Sequence, residues 1–477
     1  MVRKPLVVLP LLLFSSTLFA QIDDATRQLS RDIFKELIEI NTTDSVGNNT
    51  TAAEAMAKRF RDAGFPAEDI FVGRPNPRKG NMVVRYRGTG QHKPVLLMGH
   101  IDVVEARRED WSVDPFQFIE KDGYFYGRGT QDMKGGDAAM VTTLLRFKQE
   151  GYKPDRDIIL MLTADEEGGY FNGPAWLLKD HRDLIDAEYA INHDGGGVEL
   201  EGTKPLFMSM EPAEKLYADY ELKVTNPGGH SSIPVPDNAI YHLANALAKI
   251  QNYQFPFELN SVTRAYFERS AKTRTGQEAA DMLAILKTPP DQAAIKRLST
   301  DRIFNSTMHT TCVATRLTAG HANNALPQMA KANVNCRILP GHSREEVRKD
   351  LERIVANPKV KVAYVGSLGY QEQVQDTAPN EKSPAPPPLR PDVMAAMEKI
   401  TNQMWPGIPV IPDMSTGASD GVYTNAAGIP TYAIGGLALD RNDVRAHGRD
   451  ERIGVENYYR GVDFFHRLLK ELTGTKQ

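Results

Sequence analysis

Cysteine is nearly absent: Cys312 and Cys336 are the only two in 477 residues. Two thiols cannot by themselves make a thiolate zinc site. Positive charge is not in excess either. The 57 Lys and Arg face 61 Asp and Glu, a formal net charge of −4, so the basic stripe typical of nucleic-acid binding is missing. Beyond the N-terminal segment no apolar run is long enough to cross a bilayer, and no internal repeat is evident. The glycine-rich stretch Tyr124-Phe-Tyr-Gly-Arg-Gly-Thr-Gln-Asp-Met-Lys-Gly-Gly-Asp137 is neither a dinucleotide fingerprint nor a phosphate loop, because the Gly-Lys-Ser/Thr ending is lacking. What remains is the composition of a soluble globular protein, 41% hydrophobic and 25% charged. Its length favours two domains.

Residues 1–20 differ in kind. Arg3 and Lys4 precede an apolar run from Leu6 to Phe14, and small and polar residues follow to Ala20. That is the grammar of a secretory signal peptide, although Leu18 is not the small residue favoured three before the cut. The alternative, an uncleaved anchor, has an apolar run that is short for a span. The expectation is an exported protein, periplasmic or extracellular, without a stable membrane anchor. Export permits a disulfide. Cys312 and Cys336 lie in strand-like runs on either side of a turn near Asn324, so a bridge across a hairpin and a pair of buried thiols both remain open.

The stretch Val95-Leu-Leu-Met-Gly-His-Ile-Asp-Val-Val104 organises the first half. Its apolar run reads as a buried strand, and in open α/β sheets function gathers where strands end. His100 is a candidate metal ligand there, and Asp102 suits the hydrogen bond that orients a ligating imidazole. The spacing predicts helices over Asp24–Ile40, Thr51–Ala63 and Ala138–Lys148, with strands at Asn81–Tyr86, Pro94–Met98 and Asp157–Thr163. That alternation argues for an α/β layer structure. Asp132 falls on a loop just before a helix, where capping is its ordinary role. The strand at Asp157–Thr163 runs into Ala164-Asp-Glu-Glu-Gly168, and adjacent carboxylates at a strand end are costly to desolvate without a cation. Tyr189-Ala-Ile-Asn-His-Asp-Gly-Gly-Gly197 repeats the pattern, delivering Asp194 just after its apolar run. Near the C-terminus come Ser415-Thr-Gly-Ala-Ser-Asp-Gly421 and the polar loop Arg445-Ala-His-Gly-Arg-Asp-Glu-Arg452, which holds His447 before a helix over Val455–Leu472. Widely spaced His and carboxylate residues of this kind suit two divalent ions, with one carboxylate able to bridge them.

In this order, HIDVV, GRGTQDMKGG, ADEEGG, NHDGGG, TGASDG and RAHGRDE resemble the co-catalytic dizinc metallopeptidases, the family of aminoacylase, carnosinase, bacterial glutamate carboxypeptidase and peptidase T. The resemblance implies that His100 and Asp194 bind one zinc, that Glu167 and His447 bind the other, and that Asp132 bridges them. Co2+ or Mn2+ would also fit such ligands. It implies Asp102 as the orienting partner of His100 and Glu166 as general base. The peptide bond after the bridging aspartate is often cis in that family. Asp at position 194 points toward amino- and dipeptidases, whereas Trp111, Pro115-Phe116 and Gly127-Arg-Gly129 resemble the aminoacylase and carboxypeptidase branch.

Leu216–Thr225, a helix over Asn238–Gln251, strands at Thr310–Ala319 and Ala330–Leu339, a helix over Arg344–Val355 and a strand at Lys359–Val365 spell a ferredoxin-like α+β sandwich. The expected division is therefore a catalytic domain with a mixed sheet, assembled from residues 21–213 and 377–477, and an inserted lid and dimerisation domain at 214–376. A mostly helical insertion occupies 253–308, and a Pro-rich linker 377–391 leads back. By resemblance His230 donates to the transition-state oxyanion, from the partner chain in dimeric members. Asn324 and Arg337 match substrate-binding positions. Thr416 and Gly417 offer backbone groups to a substrate terminus, and Arg337 suits a free carboxylate. The leading expectation is a secreted zinc exopeptidase acting on dipeptides or short peptides. The second is an N-acyl amino acid amidohydrolase, and the third a non-catalytic peptide-binding homologue.

Overall fold

The computed structural model describes residues 22–366 and 373–474; the expected signal peptide at 1–20 lies outside them. A ten-stranded mixed sheet forms the first unit. Across it run Ile70–Gly73, Asn81–Tyr86, Ile158–Thr163, Val95–His100, Tyr189–Asn192, Thr431–Ala433, Lys204–Glu214, Gly197–Glu201 and Ala438–Asp440, with Val410–Ser415 also paired to Lys204–Glu214. Val95–His100 is buried at all six positions, as an unbroken apolar run requires of a strand covered on both faces. It pairs parallel with both neighbours. Three strand ends therefore open at one edge of the sheet, delivering His100, the Asp165–Glu167 turn and Asp194.

Helices cover the sheet where the apolar period places them: Asp24–Glu39 begins at an Asp23 cap and Asn49–Asp62 at an Asn48 cap. Most boundaries shift by one or two residues from the expectation, and one helix start shifts by four. The helix expected from Ala138 starts at Lys134 and runs to Glu150. Gly135 and Gly136 lie inside its first turn, where a Cβ would come within 2.7 Å of the Thr130 carbonyl oxygen or 2.4 Å of the His193 ring. These glycines allow close approach rather than a turn.

The second unit is an antiparallel sheet ordered Thr311–Ala319, Met329–Ile338, Leu216–Thr225, Lys361–Gly366, Gln373–Gln375. Leu216–Thr225 alternates buried and partly exposed residues. Its inner face shares one core with the helices Ala239–Gln251 and Arg344–Val355. Cys312 and Cys336 stand opposite each other in the ladder and are bridged, with Cα atoms 4.1 Å apart.

Residues 253–308 contain the helices Ser261–Ala271, Gly276–Ala284, Gln292–Leu298 and Arg302–Met308. They build a core of their own around Phe267, Met282 and Met308, and it closes on Ile411 of the first sheet. Arg269 fastens the contact by donating to the Val410 carbonyl at 2.9 Å and pairing with Glu398 at 2.7 Å. The segment between the units is pinned at both ends: Gly341 donates to Ser383 Oγ at 3.1 Å, and the Tyr432 hydroxyl to the Pro388 carbonyl at 2.8 Å. Among the described residues no helix is long and apolar enough to cross a membrane. Phe267 is fully buried, so Phe267→Ala is expected to cost about 3–5 kcal/mol, read as a lower urea midpoint with unchanged m-value.

Candidate metal centre

Two imidazoles converge on one carboxylate. His100 Nε2 lies 3.2 Å from Asp132 Oδ1, and His447 Nε2 lies 3.0 Å from Asp132 Oδ2. His447 Nε2 is also 3.0 Å from the Glu167 carboxylate. The ligand atoms of His100, Asp132 and Asp194 fall within 4.8 Å of one another, and so do those of Asp132, Glu167 and His447. Two donor sets thus share Asp132. The Asp132–Met133 peptide bond is cis. Glu166 Oε2 stands 3.9 Å from His100 Nε2, beside both sets. Asp102 does more than the sequence implies. The Asp102 carbonyl lies 3.1 Å from His100 Nδ1 and its carboxylate 3.6 Å away, while that carboxylate accepts the backbone N–H groups of Glu166 and Glu167 at 3.2 and 3.0 Å. One side chain therefore sets the imidazole and the acidic turn together.

The electrostatics of these side chains are those of a candidate cation site. Burial, and next the Asp132 charge, push the Asp194 carboxyl up to about 7. Burial likewise drives Glu166 well above the usual carboxylate range. Burial opposes ionisation of Asp132 as well, yet hydrogen bonds from His100 and His447 hold it low. Hydrogen bonds to Asp132 and Glu167 raise His447 to about 10. Four carboxylates crowd a space in which the two imidazoles are the nearest positive charge. Each set offers one imidazole and two carboxylates, the donor chemistry of borderline divalent ions.

A cavity of about 590 Å3 opens from this centre toward the second sheet, and Glu166, Glu167, Arg337, Arg344, Tyr217 and Ser419 are among its walls. Arg337 stacks its guanidinium 4.7 Å from the Tyr217 ring centroid. The loop from Thr416 to Ser419 contributes Ala418 and Ser419 to the wall, followed by Asp420; Thr416 and Gly417 are not among the wall residues. His230 and Asn324 do not line the cavity. They lie at adjoining short strands elsewhere, where His230 pairs with Ala325 and Ser231 N donates to the Asn324 carbonyl at 3.1 Å. His230 is exposed there, with its Nδ1 accepting from Ser232 N at 3.1 Å. Within one chain neither touches the centre.

Residues 96–471 match the family model described as Peptidase family M20/M25/M40. The chain belongs to this peptidase family. Among its relatives, a probable carboxypeptidase S-like 2 of Dictyostelium discoideum is 28% identical over 82% of this chain and 74% of its own. An N-fatty-acyl-amino acid synthase/hydrolase of Mus musculus is 25% identical over 97% of this chain and 92% of its own. The fold matches that of an M20 family metallo-carboxypeptidase from Sulfolobus solfataricus with a TM-score of 0.67 and 16% identity, over 93% of this chain and 99% of that one.

Sequence reasoning missed the supports of the centre in this M20/M25/M40 family member. Glu451 is fully buried. It pairs with Arg128 at 2.6 Å and accepts the N–H groups of Gly129, Gln131 and Asp132 at 3.0, 2.7 and 3.1 Å. The Gln131 side chain accepts from the backbone N–H groups of Arg445 and Ala446 at 2.8 and 3.0 Å and donates to the Arg452 carbonyl at 2.8 Å. These bonds tie the Asp132 loop to the His447 loop. Asp420, a second buried support, accepts from Asn172 at 2.7 Å and Thr163 at 3.4 Å, behind the acidic turn. The only signal for Glu451 was its place in the RAHGRDE stretch, where one more charge among several reads as solvated surface.

Two outcomes follow for purified protein. Glu451→Ala is expected to reduce bound metal from two ions toward one per chain, measured by elemental analysis after dialysis against limiting zinc. If His447 is a ligand it binds as the neutral ring, whereas its hydrogen bonds to Asp132 and Glu167 hold its proton up to about pH 10. Affinity is therefore expected to rise with pH up to about that value and to level off above it, with proton release on binding. Calorimetry in buffers of different ionisation enthalpy reads both.

Proposed function

We propose that this chain is a metal-dependent exopeptidase that hydrolyses the amide bond next to a free terminal carboxylate in dipeptides or short peptides. The observation that carries the reading is one cavity whose wall holds Glu166, the candidate ligand Glu167 and the Arg337 guanidinium, with Glu167 and Glu166 reaching into the ligand sets beside it. Arg337 has no carboxylate partner among the described residues, so its fork is free for a substrate carboxylate. His100, Asp194 and Asp132 would hold one ion, and Asp132, Glu167 and His447 the other. Zinc is the expected ion, and Co2+ or Mn2+ suits the same donors. Bound there, two such ions supply acidification of a water molecule and polarisation of the scissile carbonyl. Glu166 takes the proton of the attacking water and delivers it to the departing amine nitrogen. Asp102 keeps Glu166 in place through the backbone of the turn and keeps His100 oriented. Ser419, on the wall of the cavity, stands where it can meet the substrate.

A second reading is hydrolysis of N-acyl amino acids. The Mus musculus relative named as an N-fatty-acyl-amino acid synthase/hydrolase, which aligns over 97% of this chain, favours it. Both readings share the amino acid half of the substrate and differ in the acyl half. The oxyanion role of His230 requires a second copy. Support for a homodimer through the second unit, acting as lid, is the edge strand Thr311–Ala319, which exposes Val313 and Leu317, each 61% accessible. Export to an oxidising compartment is supported by the N-terminal segment and by the Cys312–Cys336 bridge.

Glu166→Gln is expected to keep its metal content and lose hydrolysis of dipeptides and N-acyl amino acids by about a thousandfold or more. Turnover near the wild-type level in that variant would remove Glu166 from its role.

A further inference from the structure

Arg337 is not the sole cation in the wall of the large cavity. Arg344, first residue of the helix Arg344–Val355, lines it too. Its Nε donates to the Tyr217 carbonyl at 3.0 Å, and the Tyr217 ring carries the Arg337 guanidinium at 4.7 Å. Tyr217 thus seats both arginines from one residue. Neither guanidinium has a carboxylate partner among the described residues, although acidic groups line the same cavity. Those acids are engaged. Asp165 pairs with Lys79 at 2.5 Å. Asp219 accepts from the Tyr217 hydroxyl at 2.5 Å and from Asn333 and Asn335 at 2.8 and 3.0 Å. Asp420 accepts from Asn172 and Thr163. Glu166 and Glu167 face the metal centre. Arg344 and Tyr423 line the same cavity as Glu166.

One guanidinium suffices for the single α-carboxylate of a terminal residue. A second, held by its Nε so that the terminal nitrogens remain available, is costly to leave unpaired in a partly buried cavity unless a second anion arrives. We propose that Arg344 is the receptor for a side-chain carboxylate, so that the amino acid half of the substrate is an amino dicarboxylic acid, aspartate or glutamate, joined through its α-nitrogen to an acyl group or another residue. This rests on the amide-hydrolase reading above. Arg337 takes the α-carboxylate and Arg344 the side-chain carboxylate, with the scissile carbonyl turned toward Glu166.

The test compares kcat/KM of the zinc-loaded full chain for N-acetyl-glutamate and N-acetyl-leucine, and for alanyl-glutamate and alanyl-leucine. The wild type is expected to prefer the glutamate member of a pair by about tenfold or more, the effect of one charge-assisted hydrogen-bonded pair. Arg344→Met is expected to lose that ratio. Arg344→Lys, which also lacks the Nε bond to Tyr217 but keeps the charge, is expected to retain most of it. A merely structural role would move both substrates of a pair together and would not separate Met from Lys. Hydrolysis of the leucine member as fast as the glutamate member by the wild type would overturn the Arg344 assignment and leave the hydrolase reading standing. An unchanged ratio in Arg344→Met would overturn it too. Failure to hydrolyse any of the four amides would bring down both.

Discussion

The carboxylate of Asp132 is the point on which the rest of the molecule depends. One of its oxygens faces His100 and the other His447, side chains separated by most of the chain length. Each imidazole belongs to a set completed by another buried or half-buried acid. Asp132 can serve both only because it sits at the start of a helix whose own first turn is packed tightly through glycine. Much of the surrounding sheet can be understood as the means of bringing three strand ends to this one group. Without positive charge between them, Asp132, Asp194, Glu166 and Glu167 repel one another in a medium that screens poorly. That repulsion is the physical reason for treating the centre as a cation site rather than an acidic surface turn.

The supports are as specific as the ligands. Glu451 gathers three backbone N–H groups and a guanidinium around the Asp132 loop, and Gln131 laces that loop to the one bearing His447. Asp102 performs the matching task on the other side, binding the turn of Glu166 and Glu167 while facing His100. Such outer partners hold ligating groups in place against electrostatic strain. The four-helix insertion adds rigidity farther out by closing on Ile411 and Val410, the strand that leads into the Ser419 loop. The second sheet then supplies what the centre lacks, guanidinium groups facing it across a cavity large enough for a small peptide.

Much of this was legible in the sequence, for identifiable reasons. Val95–His100 and Ile158–Thr163 are unbroken apolar runs, and such runs leave no choice but burial on both faces. The alternation of Leu216–Thr225 marked its role in the second sheet equally well. The five candidate ligands and Glu166 stood out because each lies beside a readable element within a motif. Other features were hidden. Val410–Ser415 contains Pro412 and Asp413, which argue against a strand, and the ladder there is indeed irregular between Pro412 and Met414. Lys204–Glu214 carries prolines near both ends, which mask it as a strand. The early start of the helix at Lys134 was concealed by two glycines that serve packing against His193 and Thr130. Glu451 was hard to single out because its role as a support comes from what surrounds it in space. His230 and Asn324 were legible only by resemblance, and a single chain leaves them apart from the centre.

The central claim is that two divalent ions share Asp132. It is tested most directly by crystallising the zinc-loaded protein and collecting anomalous diffraction above and below the zinc edge. The account predicts two strong peaks flanking the Asp132 carboxylate, one beside His100 and Asp194 and the other beside Glu167 and His447. A single peak, or peaks away from Asp132, would contradict it.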